Sequence, residues 1–281
     1  MLKNDLTLGV MILFSPAKIN LGLQVLRRRP DGYHQIRTVM YPVGLCDILE
    51  IKEIESADGL RFSQSGIPVD TLKDKNLCIR AWELYRKEMD LPPLAIHLHK
   101  QIPVGAGLGG GSSNATHTIL GINRLMGGPV PEKRLHEMAS SLGSDCPFFL
   151  YGTPMLAEGR GEILNPLQLD LEGLCLVLFF TEIHISTAEA YSGIQPFTEV
   201  PDLQDIQHRP ISGWKEFLKN DFEVPVYRKY PELELMKRSI YREGALYVSL
   251  SGSGSAMYGL FQDIPDLPGD LKGSVVWREI L

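Results

Sequence analysis

"VGAGLGGGSSNA", residues Val104 to Ala115, decides how the rest of the chain is read. Upstream, "LAIHLHK" alternates apolar and polar residues and reads as a strand over Ala95–His99; downstream, from Asn114, the apolar spacing is helical. A strand that runs through glycines into a helix start brings uncapped backbone amides and the positive end of the helix dipole to one place, which suits an anion. Glycine lets a phosphate approach the main chain and lets several amides point inward, which demands positive φ at some positions.

Several loop types fit part of the pattern. A Walker loop ends in Gly-Lys-Ser/Thr, and Gly110-Gly111-Ser112 carries no lysine. Gly105, Gly107 and Gly110 satisfy G-x-G-x-x-G, but a dinucleotide site needs an acidic residue at a strand end about 20 residues on, where this chain has the turn "GGPVPEKRL". A glycine-rich connection with no ligand stays open. So does a third kind of phosphate cradle, in which Ser112 and Ser113 bind phosphate oxygens or a bound cation.

With 281 residues, 44% of them hydrophobic, the chain can bury the core of one large domain or two closely joined ones. Its 34 acidic and 28 basic residues give a net charge of -6, which argues against nucleic-acid binding by phosphate neutralisation despite the run Arg27-Arg28-Arg29. Basic residues that matter act locally. Cys46, Cys78, Cys146 and Cys175 form no C-x-x-C pair and read as reduced thiols of a cytoplasmic protein, with neither a disulfide framework nor a sulfur-held metal. No apolar run approaches the ~18 residues of a membrane span. "MLKNDLTLGVMILFSPAK" reads as a strand from Met11 rather than a secretory signal, with Met1–Val10 a frayed extension and Met11 an alternative start.

β-branched and aromatic runs predict strands near Met11–Ala17, Ile19–Leu26, Gln35–Pro42, Asp47–Ile54 and Ala95–His99. Leu77, Ala81, Leu84 and Tyr85 recur at helical spacing after Asp74, taken as the cap. Helices follow at Asn114–Met126 and Pro131–Ser141, then short strands at Phe148–Tyr151, Met155–Glu158 and Leu174–Phe180. From Ser186 helical patterns dominate ("STAEAY", "ISGWKEFLKN", "PELELMKRSIYREG"), stopped by Gly244, before strands at Leu246–Leu250, Ala256–Phe261 and Val275–Glu279.

"P-x-x-x-G-L-G-G-G-S-S", spanning Pro103, Val104, Gly105, Ala106, Gly107, Leu108, Gly109, Gly110, Gly111, Ser112 and Ser113, resembles the second motif of the superfamily of galactokinase, homoserine kinase, mevalonate kinase and phosphomevalonate kinase. Further segments narrow the resemblance to one branch, the kinases of the non-mevalonate route to isoprenoid precursors. These are "SPAKINLGLQV" (Ser15–Val25), "RPDGYH" (Arg29–His34), "LGSDCPFFL" (Leu142–Leu150), "EGRGEIL" (Glu158–Leu164), "NDFE" (Asn220–Glu223) and "SLSGSGSAMYGLF" (Ser249–Phe261), in the branch's order. The resemblance implies an α+β kinase of two domains with a cleft between them: an ATP-binding, ribosomal-protein-like α/β domain over residues 11–170 and a ferredoxin-like domain over 171–281. It also implies transfer of phosphate from ATP with Mg²⁺ to the 2-hydroxyl of a cytidine diphosphate-linked methylerythritol. A sibling kinase of the homoserine or mevalonate type, and a nucleotide-binding regulator without turnover, are the alternatives.

Phosphoryl transfer needs charge neutralisation, alignment and a proton acceptor for the attacking hydroxyl. Alone, Asp145 reads as a turn or capping residue and Lys18 as a strand lysine whose amine reaches solvent. The resemblance makes Asp145 the general base, with Lys18 close by to keep it ionised. It places Asn20, Tyr33 and His34 at the cytidine end, although "DGYH" alone is also a hairpin turn. Asn76, Leu77 and Lys100 fall near the adenine, the 103–113 loop at the phosphates, and Gly252, Ser253 and Gly254 offer amides to phosphate or substrate. His97 and His99 share a strand face without a third ligand, and Cys146 lacks an adjacent histidine, so neither is given a function. No acidic residue is assigned as a magnesium ligand, so the metal is expected to be held mainly by the nucleotide and Ser112 or Ser113. Asn114 stands where relatives often carry aspartate, and "FFTEIHISTAEAY" lacks an expected proline near Thr181, so no substrate contact is carried to that segment.

Overall fold

The computed structural model describes residues 9–69, 75–194 and 202–281. Two long strands open it, β1 (Val10–Arg28) and β2 (His34–Glu53). Each joins two of the strands expected from the sequence. Lys18 lies inside β1 at only 3% exposure, and Val43 and Leu45, both buried, keep β2 extended across Pro42 and Gly44. Burial on a sheet therefore overrides the local breaking signal of proline and glycine.

The chain forms two compact units interleaved along the sequence. One takes in the chain up to Ala17, Leu45–Val104 and Gly110–Tyr151; the other takes in Lys18–Gly44, Gly105–Gly109 and Gly152–Leu281.

In the first unit, β3 (Leu60–Gly66), not expected from the sequence, lies parallel to β4 (Leu94–Lys100). Between them the chain forms α1 (Leu77–Tyr85). The cap expected at Asp74 lies outside the described residues; the Asn76 side chain accepts the amides of Cys78 and Ile79 at 2.9 and 3.4 Å. β4 is antiparallel to the end of β2, with Ile96 opposite Ile51. The helices α2 (Gly110–Leu125) and α3 (Glu132–Leu142) follow, the latter after Pro131 as expected. Leu94, Ile96, Leu98, Leu49 and Ile51 form a core with Ala81 and Tyr85 of α1, Ile119 and Ile122 of α2, and Leu135 and Met138 of α3. Each large apolar side chain so buried contributes roughly 1.5–3 kcal/mol before chain entropy is counted. "CPFFL" is a 3-10 turn over Cys146–Leu150 rather than the expected strand, with Pro147 at its start.

In the second unit, β5 (Met155–Gly159) pairs with the start of β2 and with β6 (Ile163–Pro166). A four-stranded sheet follows, built from β7 (Cys175–Phe179), β8 (Tyr247–Leu250), β9 (Met257–Phe261) and β10 (Val275–Ile280) in the order β10-β7-β9-β8, every pair antiparallel. Between β7 and β8 come α4 (Thr187–Ser192), α5 (Trp214–Phe217), α6 (Glu223–Lys229) and α7 (Pro231–Arg242), and α8 (Gly269–Lys272) precedes β10. This is the β-α-β-β-α-β order of a ferredoxin-like sheet, as expected. Its core joins Val177, Phe179, Val248, Leu250 and Met257 with Leu233 and Ile240 of α7.

Candidate active site

The glycine loop is fixed at both of its ends, within each unit separately. In the second unit, the Gly107 carbonyl accepts the Lys18 ammonium at 2.9 Å and the Ser251 hydroxyl at 2.9 Å. The Ala106 carbonyl accepts the Ala256 amide, and the Leu108 carbonyl that of Lys18. Gly107 has φ +79°, and a Cβ there would collide with the Ser251 carbonyl, so only glycine fits. Carbonyls thus anchor the loop to β1 and to the turn after β8.

In the first unit, α2 begins at Gly110, four residues before the expected Asn114, so Gly110, Gly111, Ser112 and Ser113 are its first turn. Their amides have no partner one turn back within the helix, the condition for holding an anion. A Cβ on Gly110 would lie 2.9 Å from the Lys100 ammonium nitrogen and 3.0 Å from Ile102 Cγ2. Beneath this turn, Asp47 is fully buried and collects four donors. Its Oδ2 accepts Lys100 Nζ at 2.5 Å and Asn114 Nδ2 at 2.9 Å, and its Oδ1 accepts the amides of Gln101 and Ile102 at 2.7 and 2.8 Å. Burial pushes the Lys100 ammonium below its usual range, and the Asp47 charge opposes the shift. The Lys100 ammonium, expected near the adenine, is committed to Asp47. Ser113 is fully buried beside His117, whereas Ser112 is partly exposed, so the two serines are not equivalent.

Leu77, at the start of α1, comes to 3.5 Å from the position a Cβ on Gly111 would take, bringing two nucleotide-side candidates together. Asp145 stands half-exposed before the Cys146–Leu150 turn, and its carboxylate makes no capping hydrogen bond to it. The capping role open to Asp145 from sequence alone is therefore not the one it takes. Cys146 is buried, its thiol pushed up to about 11 by burial, as befits a packed thiol rather than a nucleophile. Lys18 and Asp145 belong to different units.

Lys18 does not reach solvent as a lone strand lysine would. Its ammonium donates to Asn20 Oδ1 at 2.6 Å, and the Asn20 amide donates to Thr38 Oγ1 at 3.0 Å. Asn20 Oδ1 also lies 3.4 Å from the position a Cβ on Gly252 would occupy. The turn after β8 is held from below by Asn220, whose amide donates to the carbonyls of Leu250 at 3.0 Å and Gly252 at 2.8 Å. Within it, the Gly254 amide donates to the Ser251 carbonyl at 2.9 Å and is spent inside the turn; Ser253 is half-buried. "NDFE", quoted above without a role, is thus a brace. Asp221 Oδ2 accepts the Val25 amide at 2.7 Å, and Glu223 Oε1 accepts the Leu250 amide at 3.1 Å. Burial raises the Asp221 carboxyl to about 6.

A cavity of about 600 Å³ in the second unit is lined by Val25, Arg28, Gly32, His34, Tyr191 and Ser192, among others. The His34 and Tyr191 rings stack at 4.4 Å, 13° from parallel, and Phe222 meets Tyr191 edge-on at 4.8 Å. Burial, then the nearby Arg28 charge, lowers the His34 pKa, which favours the neutral imidazole with one donor and one acceptor nitrogen. Sequence reasoning found His34 and missed Tyr191, the last residue of the segment "FFTEIHISTAEAY"; the aromatic after a capped helix start was its only signal. Tyr33 does not line this cavity: it is 56% exposed, with the Arg160 guanidinium 5.0 Å from its ring centre.

His97 and His99 do share a face, where the Ser65 hydroxyl joins His97 Nε2 and His99 Nδ1, each at 2.9 Å. Among the described residues no group of three His, Cys, Asp or Glu side chains is placed to hold a metal ion, and no helix is long and apolar enough to cross a membrane.

Comparison with known proteins supplies a family. The model of the GHMP kinases N terminal domain matches residues 76–153 and that of the GHMP kinases C terminal matches residues 203–266. The 4-diphosphocytidyl-2-C-methyl-D-erythritol kinase of Azobacteroides pseudotrichonymphae is 48% identical over 90% of this chain and 94% of that relative. That of Parabacteroides distasonis is 44% identical over 90% and 92%. Among solved structures, a 4-(cytidine 5'-diphospho)-2C-methyl-D-erythritol kinase superposes with a TM-score of 0.77 at 37% identity, over 89% of this chain and 90% of that one. Homoserine kinase from Cytophaga hutchinsonii, at 17% identity and a TM-score of 0.69 over 94% and 88%, shares the fold.

Proposed function

We infer the reaction from membership: the chain belongs to the 4-diphosphocytidyl-2-C-methyl-D-erythritol kinase family of the GHMP kinases. It is an ATP-dependent phosphotransferase acting on an alcohol, and its acceptor is the 2-hydroxyl of 4-diphosphocytidyl-2-C-methyl-D-erythritol. The observation that carries the choice of acceptor over homoserine or mevalonate is the aromatic cavity at His34 and Tyr191, which suits a flat heterocycle with a polar edge. Neither sibling acceptor contains such a ring.

ATP fits the loop on an observation independent of family: glycine is required at Gly107, where a Cβ would collide with the Ser251 carbonyl, and amides with no partner one turn back open α2. The triphosphate lies along residues 103–113, with Asn76 and Leu77 on the adenine side. Lys100 acts from below, through Asp47, by holding the first turn of α2 in place. Mg²⁺ would be held by the nucleotide and by the hydroxyl of Ser112, the more exposed of the two serines, and would neutralise charge on the phosphates. Asp145 takes the proton of the attacking hydroxyl, and Lys18 supplies positive charge on the substrate side. Asn20, Tyr33 and His34 serve the cytidyl substrate, as do amides of the Gly252–Ser253 turn. Residues 11–170 form the nucleotide side and 171–281 the substrate side, with Tyr191 from the latter meeting His34 from the former.

The test is phosphorylation by purified protein, with ATP and Mg²⁺, of the cytidyl compound, homoserine and mevalonate in parallel. Turnover of the first alone supports the reading. Equal or greater turnover of either sibling acceptor removes it.

A further inference from the structure

Arg28, at the end of β1, is exposed on the wall of the cavity that His34 and Tyr191 define. Of its two neighbours in the run, Arg29 pairs with Asp31 at 2.8 Å, and Arg27, which lines the same cavity, spends its Nε on Gln35 Oε1 at 2.7 Å. Among the described residues, Arg28 makes no ion pair or hydrogen bond, and no carboxylate lines this cavity. A guanidinium therefore stands beside a stacked His34–Tyr191 pair with its five donors uncommitted among the described residues, next to an imidazole whose protonation it disfavours. Such a fork matches the oxygens of a phosphate bidentately, and a ring with an anionic group one sugar away would satisfy both features together.

We propose that Arg28 binds the diphosphate of the nucleotide-linked substrate and so sets the preference of this site for a nucleoside diphosphate over the free nucleoside. The inference rests on the cytidyl acceptor assigned above. It separates two parts of recognition: the cavity holds the base, and Arg28 holds the charge. Because Arg28 is exposed and has no partner among the described residues, removing it leaves the fold alone.

The experiment uses Arg28→Gln and Arg28→Lys in the full chain, with cytidine and cytidine diphosphate as probes in a calorimetric titration. Loss of a charge-assisted phosphate contact lowers affinity for the diphosphate by about 10-fold or more in Arg28→Gln. Affinity for cytidine stays within about twofold and the melting temperature is unchanged; Arg28→Lys, a point charge without the fork, recovers part of the loss. Steady-state kinetics then show a raised KM for the cytidyl substrate with an unaltered KM for ATP. Unchanged diphosphate affinity in Arg28→Gln, or an equal loss for cytidine and cytidine diphosphate, overturns the assignment. The binding comparison stands whether or not the wild-type protein phosphorylates the cytidyl compound, so failure of the acceptor reading and failure of the Arg28 assignment are told apart.

Discussion

The Lys100 ammonium lies 2.5 Å from Asp47 Oδ2, with both side chains at 5% exposure or less, below the first turn of α2. One carboxylate thereby fixes the end of β4, the residues leading into the glycine loop and, through Asn114, the helix itself. Breaking such a pair from one side leaves a buried charge without compensation. Asp47→Asn is therefore expected to cost about 3–5 kcal/mol in denaturant unfolding. The double change Asp47→Leu, Lys100→Met should cost less than the single one, because no charge is stranded. A double variant as unstable as the sum of both singles would show that the pair is not the unit that matters.

Asp145→Asn keeps size and removes the proton acceptor. We expect kcat to fall by ~10²-fold or more with ATP affinity nearly unchanged. Lys18→Met, at the second residue proposed for catalysis, should lower kcat similarly. Parallel loss of stability and activity in Asp145→Asn would instead assign it a structural role.

Gly107→Ala puts a side chain at φ +79° against the Ser251 carbonyl. The backbone strain alone is worth about 1–3 kcal/mol. The loop should shift, raising KM for ATP more than KM for the acceptor; an unaltered KM for ATP would detach this glycine from the phosphates.

Asp221 carries a pH dependence of stability. Its folded pKa is raised to about 6 against an ordinary value of 3.8, so its contribution is fully present below 3.8 and is lost as pH rises through about 6. Asp221→Asn keeps an oxygen to accept the Val25 amide and does not titrate. The variant should gain in stability relative to wild type between pH 4 and pH 7, read as the difference in urea midpoints. A difference that is flat over that range contradicts the burial of this carboxyl.

The loop and the strands of the four-stranded sheet were legible because their signals are local, glycines before a helical pattern and alternating or wholly apolar runs between turns; the ferredoxin-like order of those strands came from the resemblance. Asp47 was not, although an aspartate in "LCDILEIK" is unusual for a strand; its four donors come from residues 101, 102, 100 and 114, far along the chain. The strand β3 was hidden because "LRFSQSG" turns polar after Phe62, and Phe148–Leu150 misled because a short apolar run fits a strand or a helical turn equally. Tyr191 became visible only once the fold stacked it on His34. The roles proposed for Lys18 and Asp145 rest on resemblance alone, since neither residue type nor spacing distinguishes a catalytic residue from a surface lysine or a turn aspartate.

Where the transferred phosphate goes decides the reaction. Phosphorus NMR of the product formed by wild-type protein from ATP and the cytidyl compound reads this directly. The account predicts a new phosphomonoester on the 2-position of the methylerythritol, the cytidine diphosphate linkage intact, formed in step with ADP. ATP hydrolysed to free phosphate without that ester, or an ester at any other hydroxyl, would contradict it.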